Sequence, residues 1–251
     1  MTSISAVIIT FNEELNIRRC IESLINVVDE IIVVDSFSTD QTKAICDQYP
    51  IKFIQIDWMG YSQTKNYGNS LTSHNYILSI DADEALSREL QEEIKLIKKG
   101  DLEGVYAINR ITNYCGKWIY HSGWFPDWKF RLFPKRSCKW NDSIVHEELE
   151  FPSLLRNKRM NGLLEHYSYH SFKQHQEKAD KYSILTAQKY YNQNKKSGVL
   201  SPFFSSIARF LSMYVIKLGF LDGYSGYKIA IISAKSNYLK YKELNRLYKN
   251  N

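Results

Sequence analysis

The sequence predicts an α/β protein in which a mainly parallel sheet carries a mixed or antiparallel extension and is followed by a helical segment. Three observations predict this. Short apolar, β-branched runs alternate with longer mixed segments through the first hundred residues, as βαβ units do. Residues 104–171 then turn rich in Trp, Tyr and Phe in short alternating pieces, and from residue 172 the spacing becomes helical again. With 251 residues, 44% of them hydrophobic, and only 11 Gly and 5 Pro, the chain can bury a sizeable core, which excludes disordered and collagen-like classes.

Each element has its own warrant. Residues 5–10, 30–35, 52–56 and 76–81 read as strands because they are short, apolar and rich in Val and Ile. Residues 13–27 place Leu15, Ile17, Ile21, Leu24 and Ile25 at helical spacing, and 39–48 read as a second helix with Ser38 as its N-cap. A third helix over 87–99 puts Leu90, Ile94 and Ile97 on one face and charge on the other. The pieces 105–111 and 129–133 suit the extension of the sheet. No internal repeat or linker stands out, so the division is a main domain over 1–171, with halves 1–100 and 101–171, and a helical, basic extension over 172–251.

Charge is unevenly spread. The 33 Lys and Arg exceed the 27 Asp and Glu by six, and from Ser201 onward eight cations face the two anions Asp222 and Glu243. The rest of the chain balances, so charge suggests no nucleic-acid surface there, whereas the basic tail suits an acidic one. In that tail Phe203, Ile207, Leu211 and Leu218 recur at helical spacing beside Arg209 and Lys217. Such a helix either lies on an anionic membrane or packs on the main domain with its cations in water. Four cysteines without a C-x-x-C pair suit reduced thiols, and the expectation is a cytoplasmic protein without signal peptide or transmembrane helix, peripheral on the inner face of the cytoplasmic membrane.

In open α/β sheets ligands sit beyond the carboxyl ends of the strands, and three predicted strands end in polar residues there: Thr10-Phe11-Asn12-Glu13, Asp35 to Asp40, and Asp81-Ala82-Asp83-Glu84. Asp81 and Asp83, two apart, can present both carboxylates on one side to a hard divalent cation, or they merely cap the following helix. Asp35 can accept an N–H from a pyrimidine base, or it begins an Asx-type turn. The aromatic stretch 124–133 offers rings for stacking and cations such as Lys129 and Arg131 to an anionic ligand, or it fills the core.

The succession Val7-Ile8-Ile9-Thr10-Phe11-Asn12-Glu13-Glu14, Ile32-Val33-Val34-Asp35-Ser36-Phe37-Ser38-Thr39-Asp40 and Asp81-Ala82-Asp83-Glu84 resembles the family 2 glycosyltransferases of the GT-A fold. Within them it looks most like bacterial lipopolysaccharide-core β-glucosyltransferases. The likeness extends through Gln63 to Gly68, Trp124 to Phe133, Val145-His146-Glu147, His166-Tyr167-Ser168 and Gly219 to Gly223, and so covers nearly the whole chain.

The resemblance implies a Rossmann-like nucleotide-binding half over 1–100 and an acceptor half over 101–171. It also implies an inverting hexosyl transfer, with UDP-glucose the expected donor and a bacterial surface glycan or glycolipid the acceptor. Thr10, Asn12, Glu13, Asp35, Lys65 and Asp81 match nucleotide-sugar contacts. Asp81 and Asp83 match the D-x-D site for Mn²⁺ or Mg²⁺, with His166 chosen as a further ligand. Inverting transfer needs a base for the acceptor hydroxyl. Family members present it in an Asp-containing pair downstream, where this chain has His146-Glu147-Glu148, so Glu147 is the first choice and Asp142 and His146 the reserves. Trp124, Asp127 and Arg131 are assigned to the acceptor side. Transfer to a polyprenyl-phosphate carrier, or a nucleotide-sugar-binding or scaffold protein without catalysis, are the alternatives.

Overall fold

The computed structural model describes residues 1–141 and 147–249. In chain order the elements are β1 (Ile4–Thr10), α1 (Ile17–Leu24), β2 (Glu30–Asp35), α2 (Thr42–Cys46), β3 (Lys52–Gln55), α3 (Tyr61–Ser70), β4 (Tyr76–Asp81), β5 (Glu84–Leu86) and α4 (Arg88–Ile97). They continue with β6 (Val105–Tyr114), β7 (Lys117–Ile119), β8 (Asp127–Pro134), β9 (Lys139–Trp140), β10 (Leu149–Glu150), β11 (Asn157–Tyr169), α5 (Phe172–Asn192), α6 (Ser201–Leu211) and α7 (Gly223–Lys249). A π-helical turn, Ser212–Ile216, and a 3₁₀ turn, Gly219–Asp222, link the last two helices. Two compact units result: Met1–Arg110 with Asp127–Tyr167, and Ile111–Pro126 with the chain from Ser168 onward.

In the first unit, β3, β2, β1 and β4 lie side by side and parallel, and β8 joins β4 antiparallel. Along β1 the side chains alternate between two packed faces. Ile4, Ala6 and Ile8 join Ile17, Ile21 and Leu24 of α1 and Leu90 and Ile94 of α4, whereas Val7 packs with Ile77 and Phe133 and Ile9 with Ile32 and Val34. Burial on both faces explains why β1, β2 and β4 read as unbroken apolar runs. Register then sets the functional edge: Thr10 lies opposite Asp35, and Ile9 opposite Asp81. Because the chain moves to opposite sides of β1 in adding β2 and β4, the crevice between β1 and β4 is the switch point where such sheets bind ligands.

Several boundaries differ from the sequence reading. The first helix is shorter, since residues 13–16 form a turn in which the amides of Asn16 and Ile17 donate to the Glu13 carbonyl, and Leu15 stands exposed. Ser38 is no N-cap: α2 begins at Thr42, and the Ser38 hydroxyl donates instead to Asp35. Helix α4, the third one the sequence predicts, is capped by Ser87, whose hydroxyl accepts from the Leu90 amide. Helix α3 has no counterpart among the predicted elements. Its buried face is made of Ser62, Thr64, Lys65, Gly68 and Asn69, which carries no apolar periodicity. Gly68 lets it approach the sheet closely, for a Cβ there would lie 2.5 Å from Val7 Cγ1.

In the second unit, the outer end of β6 pairs with β7 through Thr112, Asn113 and Tyr114. Tyr114 is fully buried among the rings of Trp124, Tyr169, Phe172 and His175, and Met213, Ile229 and Ala230 complete that core. Asp222 accepts from the Tyr120 and His121 amides, and Lys117 Nζ donates to its carbonyl. Residues 111–126 therefore group with the C-terminal helices, where the sequence reading drew a single boundary at 171. All four cysteines are free, and among the described residues no single helix is long and apolar enough to cross a membrane.

Candidate active site

At the carboxyl edge of β1 and β2 two loops clasp each other. Asn12 takes a left-handed backbone, φ 54°, which Asn tolerates better than most residues. Its amide donates to Ser38 Oγ and its Oδ1 accepts from the Thr39 amide, both at 2.8 Å. The Glu13 amide donates to Thr42 Oγ1, and Glu13 Oε2 accepts from Asn16 Nδ2. Asp35 is fully buried, and its Oδ2 accepts from the Ser38 amide at 2.9 Å and from Gln55 Nε2 at 3.0 Å. Asp35 thus makes the Asx-type turn. Thr10 Oγ1, buried beside it, has no hydrogen-bond partner among the described residues, an unsatisfied group that a polar ligand would satisfy.

The end of β4 carries a network of buried charge. Asp81 Oδ1 lies 2.9 Å from Lys65 Nζ on α3, and its Oδ2 accepts from Arg131 Nη2 on β8 at 2.7 Å. Lys65, almost wholly buried, also donates to Glu147 Oε1 at 2.9 Å and lies over the Trp140 ring. Arg131 donates as well to Glu84 Oε1 at 2.6 Å, and Arg110 bridges Glu84 and Asp127. Burial by itself would raise the Asp81 carboxyl, but the Arg131 and Lys65 charges hold it well below the usual carboxylate range. Burial likewise opposes the Arg131 charge, yet Asp81 and Glu84 make its guanidinium hold its proton more tightly than usual. Asp127 is lowered despite burial, through Arg110 and Lys129.

Two residues along, Asp83 meets a partner from far away in the chain. His166 on β11 lies opposite Glu84 in the antiparallel pairing with β5, and its Nε2 stands 3.2 Å from Asp83 Oδ2. Burial raises the Asp83 carboxyl, and the His166 charge and hydrogen bond more than offset it, so the net shift is downward. The described residues contain no cluster of three or more His, Cys, Asp or Glu able to hold a metal. Two donors are nevertheless enough where a ligand's phosphates and water supply the rest, as Mg²⁺ sites often work. The Asp83 and His166 donor atoms have the spacing of neighbouring ligands on one cation, about 3 Å. They fit a divalent metal, whereas Asp81, expected as a ligand too, has its oxygens on Lys65 and Arg131 and stands beside them.

Beside this network opens a cleft of about 750 Å³, lined among others by Asp81, Arg110, Trp128, Lys129, Arg131 and Glu147. Polar groups of both signs converge in one concave site with apolar rings, the usual composition of a small-molecule pocket. The sequence model described as Glycosyl transferase family 2 matches residues 5–158. The chain belongs to this family. A glycosyltransferase of Rickettsia typhi described as uncharacterized is 34% identical, covering 98% of this chain and 88% of that protein. The lipopolysaccharide core biosynthesis glycosyltransferase LpsC of Rhizobium meliloti is 28% identical over 95% of this chain and 93% of its own. The fold is GT-A: TarS of S. aureus, solved with UDP, matches 100% of this chain and 92% of that one with a TM-score of 0.50 at 14% identity.

In this family 2 glycosyltransferase the structure brings together Lys65, Asp81, Asp83, Asp127, Glu147 and His166 within the first unit and leaves Thr10, Asn12, Glu13 and Asp35 at its β1–β2 edge. Two assignments to the acceptor side are corrected. Arg131 is buried with Nη2 engaged by Asp81 and Glu84, so it belongs to the charge network at the end of β4 and is not a free surface cation. Trp124 is half-buried and packs against the core of the second unit, on Tyr114, Tyr169 and His175. The two reserve bases, Asp142 and His146, lie outside the described residues. Sequence reasoning missed Arg110 and the role of Glu84. The signal was a lone cation inside the apolar strand β6, opposite Asp127 in the β6–β8 register, a cross-strand pair of opposite charge.

Proposed function

We propose that this glycosyltransferase moves a hexose, with inversion, from a UDP-sugar to a lipopolysaccharide-core or related bacterial surface-glycan acceptor, with glucose the expected sugar. The observation that carries the reading is the paired placement of Lys65 and Arg131 on Asp81, next to Asp83 and His166, at the switch point of the sheet. LpsC, matched along nearly the whole chain, supports the acceptor class, and UDP, present in the TarS complex, is the first nucleotide to test.

The chain's own groups divide the work. Thr10, with its unpartnered Oγ1, serves the nucleobase at the β1–β2 edge, and Asp35 holds the loop of that edge through Ser38 and Gln55. The two buried cations, kept charged by Asp81, Glu84 and Glu147, face the negative charge of a diphosphate leaving group and offset its development in the transition state. Asp83 and His166 would hold a divalent metal, which supplies further neutralisation of that diphosphate when bound. Glu147 accepts the proton of the acceptor hydroxyl as its oxygen attacks the anomeric carbon from the face opposite the leaving group. Its ion pair with Lys65 fixes its orientation towards the cleft.

The test is nucleoside diphosphate release from UDP-, GDP- and dTDP-sugars, with Mn²⁺ or EDTA, by wild type and Asp83→Ala. Release from a UDP-sugar that needs both metal and Asp83 is the expected result. Absence of release together with absence of UDP binding in a titration would overturn the reading.

A further inference from the structure

In the second unit, α6 and the two turns after it break the usual partition of residues. Phe203, Phe204, Ile207, Leu211, Val215 and Ile216 are all exposed, Phe204 by 67% and Ile216 by 76%. Leu218, Phe220 and Leu221 extend the same surface through the 3₁₀ turn. Beneath it Pro202 and Met213 are buried, so the helix is docked on its own unit and presents its apolar side outward. Apolar surface of this extent, contiguous in sequence, marks an interaction site.

We propose that this face is a docking surface for an anionic lipid bilayer, into whose interface α6 and the following turns insert side by side rather than across. Charge selects the occupant. From Asp180 to Asp222 the sequence contains no Asp or Glu between those two residues, while Lys181, Lys189, Lys195, Lys196, Arg209 and Lys217 fall within that span. Asp222 itself is buried and engaged by backbone amides. Arg209 and Lys217 are exposed on this segment, Lys217 with its stem against Gly123, and both can extend to lipid phosphates. A second copy is the poorer occupant, because a two-fold contact would set these cations against themselves with no acid to offset them. Geometry agrees with an interfacial position. The segments Ser201–Ile216 and Gly219–Lys249 meet at 72°, and among the described residues no single helix is long and apolar enough to cross a membrane. Within the second of these, Ile229, Ala230, Ile232 and Ala234 are buried in the protein, which leaves the α6 side to the lipid.

Flotation of the full chain reads this without turnover and so does not depend on the proposed reaction. Vesicles of phosphatidylcholine alone are compared with a phosphatidylcholine–phosphatidylglycerol mixture. Wild type is expected to float with the mixture, and Phe204→Asp with Ile216→Asp to lower partitioning about a hundredfold at an unchanged unfolding transition. Should that variant fold poorly, Arg209→Gln with Lys217→Gln is expected to lower partitioning about tenfold on the anionic vesicles only. Failure of wild type to float, or equal flotation of wild type and both variants, overturns the proposal. A dimer in light scattering that the Asp variant dissolves, with no flotation of wild type, assigns the face to a second copy instead.

Discussion

At the end of β4 charged side chains are buried, whereas along α6 apolar side chains stand in water. Lys65 and Arg131 are almost wholly enclosed, each held by two carboxylates, while Phe204 and Ile216 in the second unit are exposed by more than half. The first arrangement persists because every buried charge has a partner, which offsets a desolvation cost of several kcal/mol per ion. The second persists because exposing a few apolar residues costs stability little and lets the same surface be covered later. Each departure from ordinary partition marks a place where something beyond the chain is expected to bind. The proposals above assign a small anionic ligand to the first place and a lipid surface to the second.

Breaking the two regions by the same chemical change should separate them most. Arg131→Gln leaves Asp81 to Lys65 alone and Glu84 to Arg110 alone, and is expected to lower unfolding free energy by about 3 kcal/mol in a urea titration, as removal of one partner of a buried pair does. Asp83→Ala leaves stability nearly intact and is expected to lower UDP release about a hundred- to a thousandfold, measured at saturating donor, because it removes charge stabilisation in the reacting complex. A thermal shift comparable to that of Arg131→Gln would instead make Asp83 structural.

Titration sharpens the contrast from the second unit. Burial, with the Lys178 charge adding to it, pushes the His175 ring from 6.5 down to about 4. The native ring therefore stays neutral while the unfolded one takes up a proton below about pH 6.5, so the unfolded state binds more protons in between. Stability is accordingly independent of this group above pH 6.5 and falls as pH drops from there towards 4. The expected loss is about 2 kcal/mol between pH 7 and pH 5, read by urea unfolding, and His175→Gln should flatten it. The smallest effect is the counterpart of the first. Arg209→Gln, on the exposed face of α6, is expected to change stability by less than about 0.5 kcal/mol. A larger value would mean that this cation is part of the unit's own packing.

Legibility in the sequence followed burial. Strands β1, β2 and β4 were readable to within a residue because both faces are covered and the runs are continuously apolar. Helix α3 was not, since its packing face is small and polar and its close approach rests on Gly68. Among site residues, the carboxylates at the strand ends stood out by position alone. Arg110 showed only as a lone cation in strand β6, and its meeting with Glu84 and Asp127 follows from the β6–β8 register, which local sequence does not set. Trp124 misled for the same reason: an aromatic in a loop looks alike whether it stacks on a sugar or on Tyr114.

By itself the sequence determined strands β1, β2 and β4, the chemical character of the three strand ends, and the membership of a glycosyltransferase family. These depend on local periodicity and on residues close together in the chain. Only the tertiary structure decided that Lys65 and Arg131 meet on Asp81, that His166 stands beside Asp83, and that α6 turns its apolar side outward. Such contacts join residues from 16 to 83 positions apart, and their energies depend on distance and burial, which arise when the sheet closes its register and the helices dock.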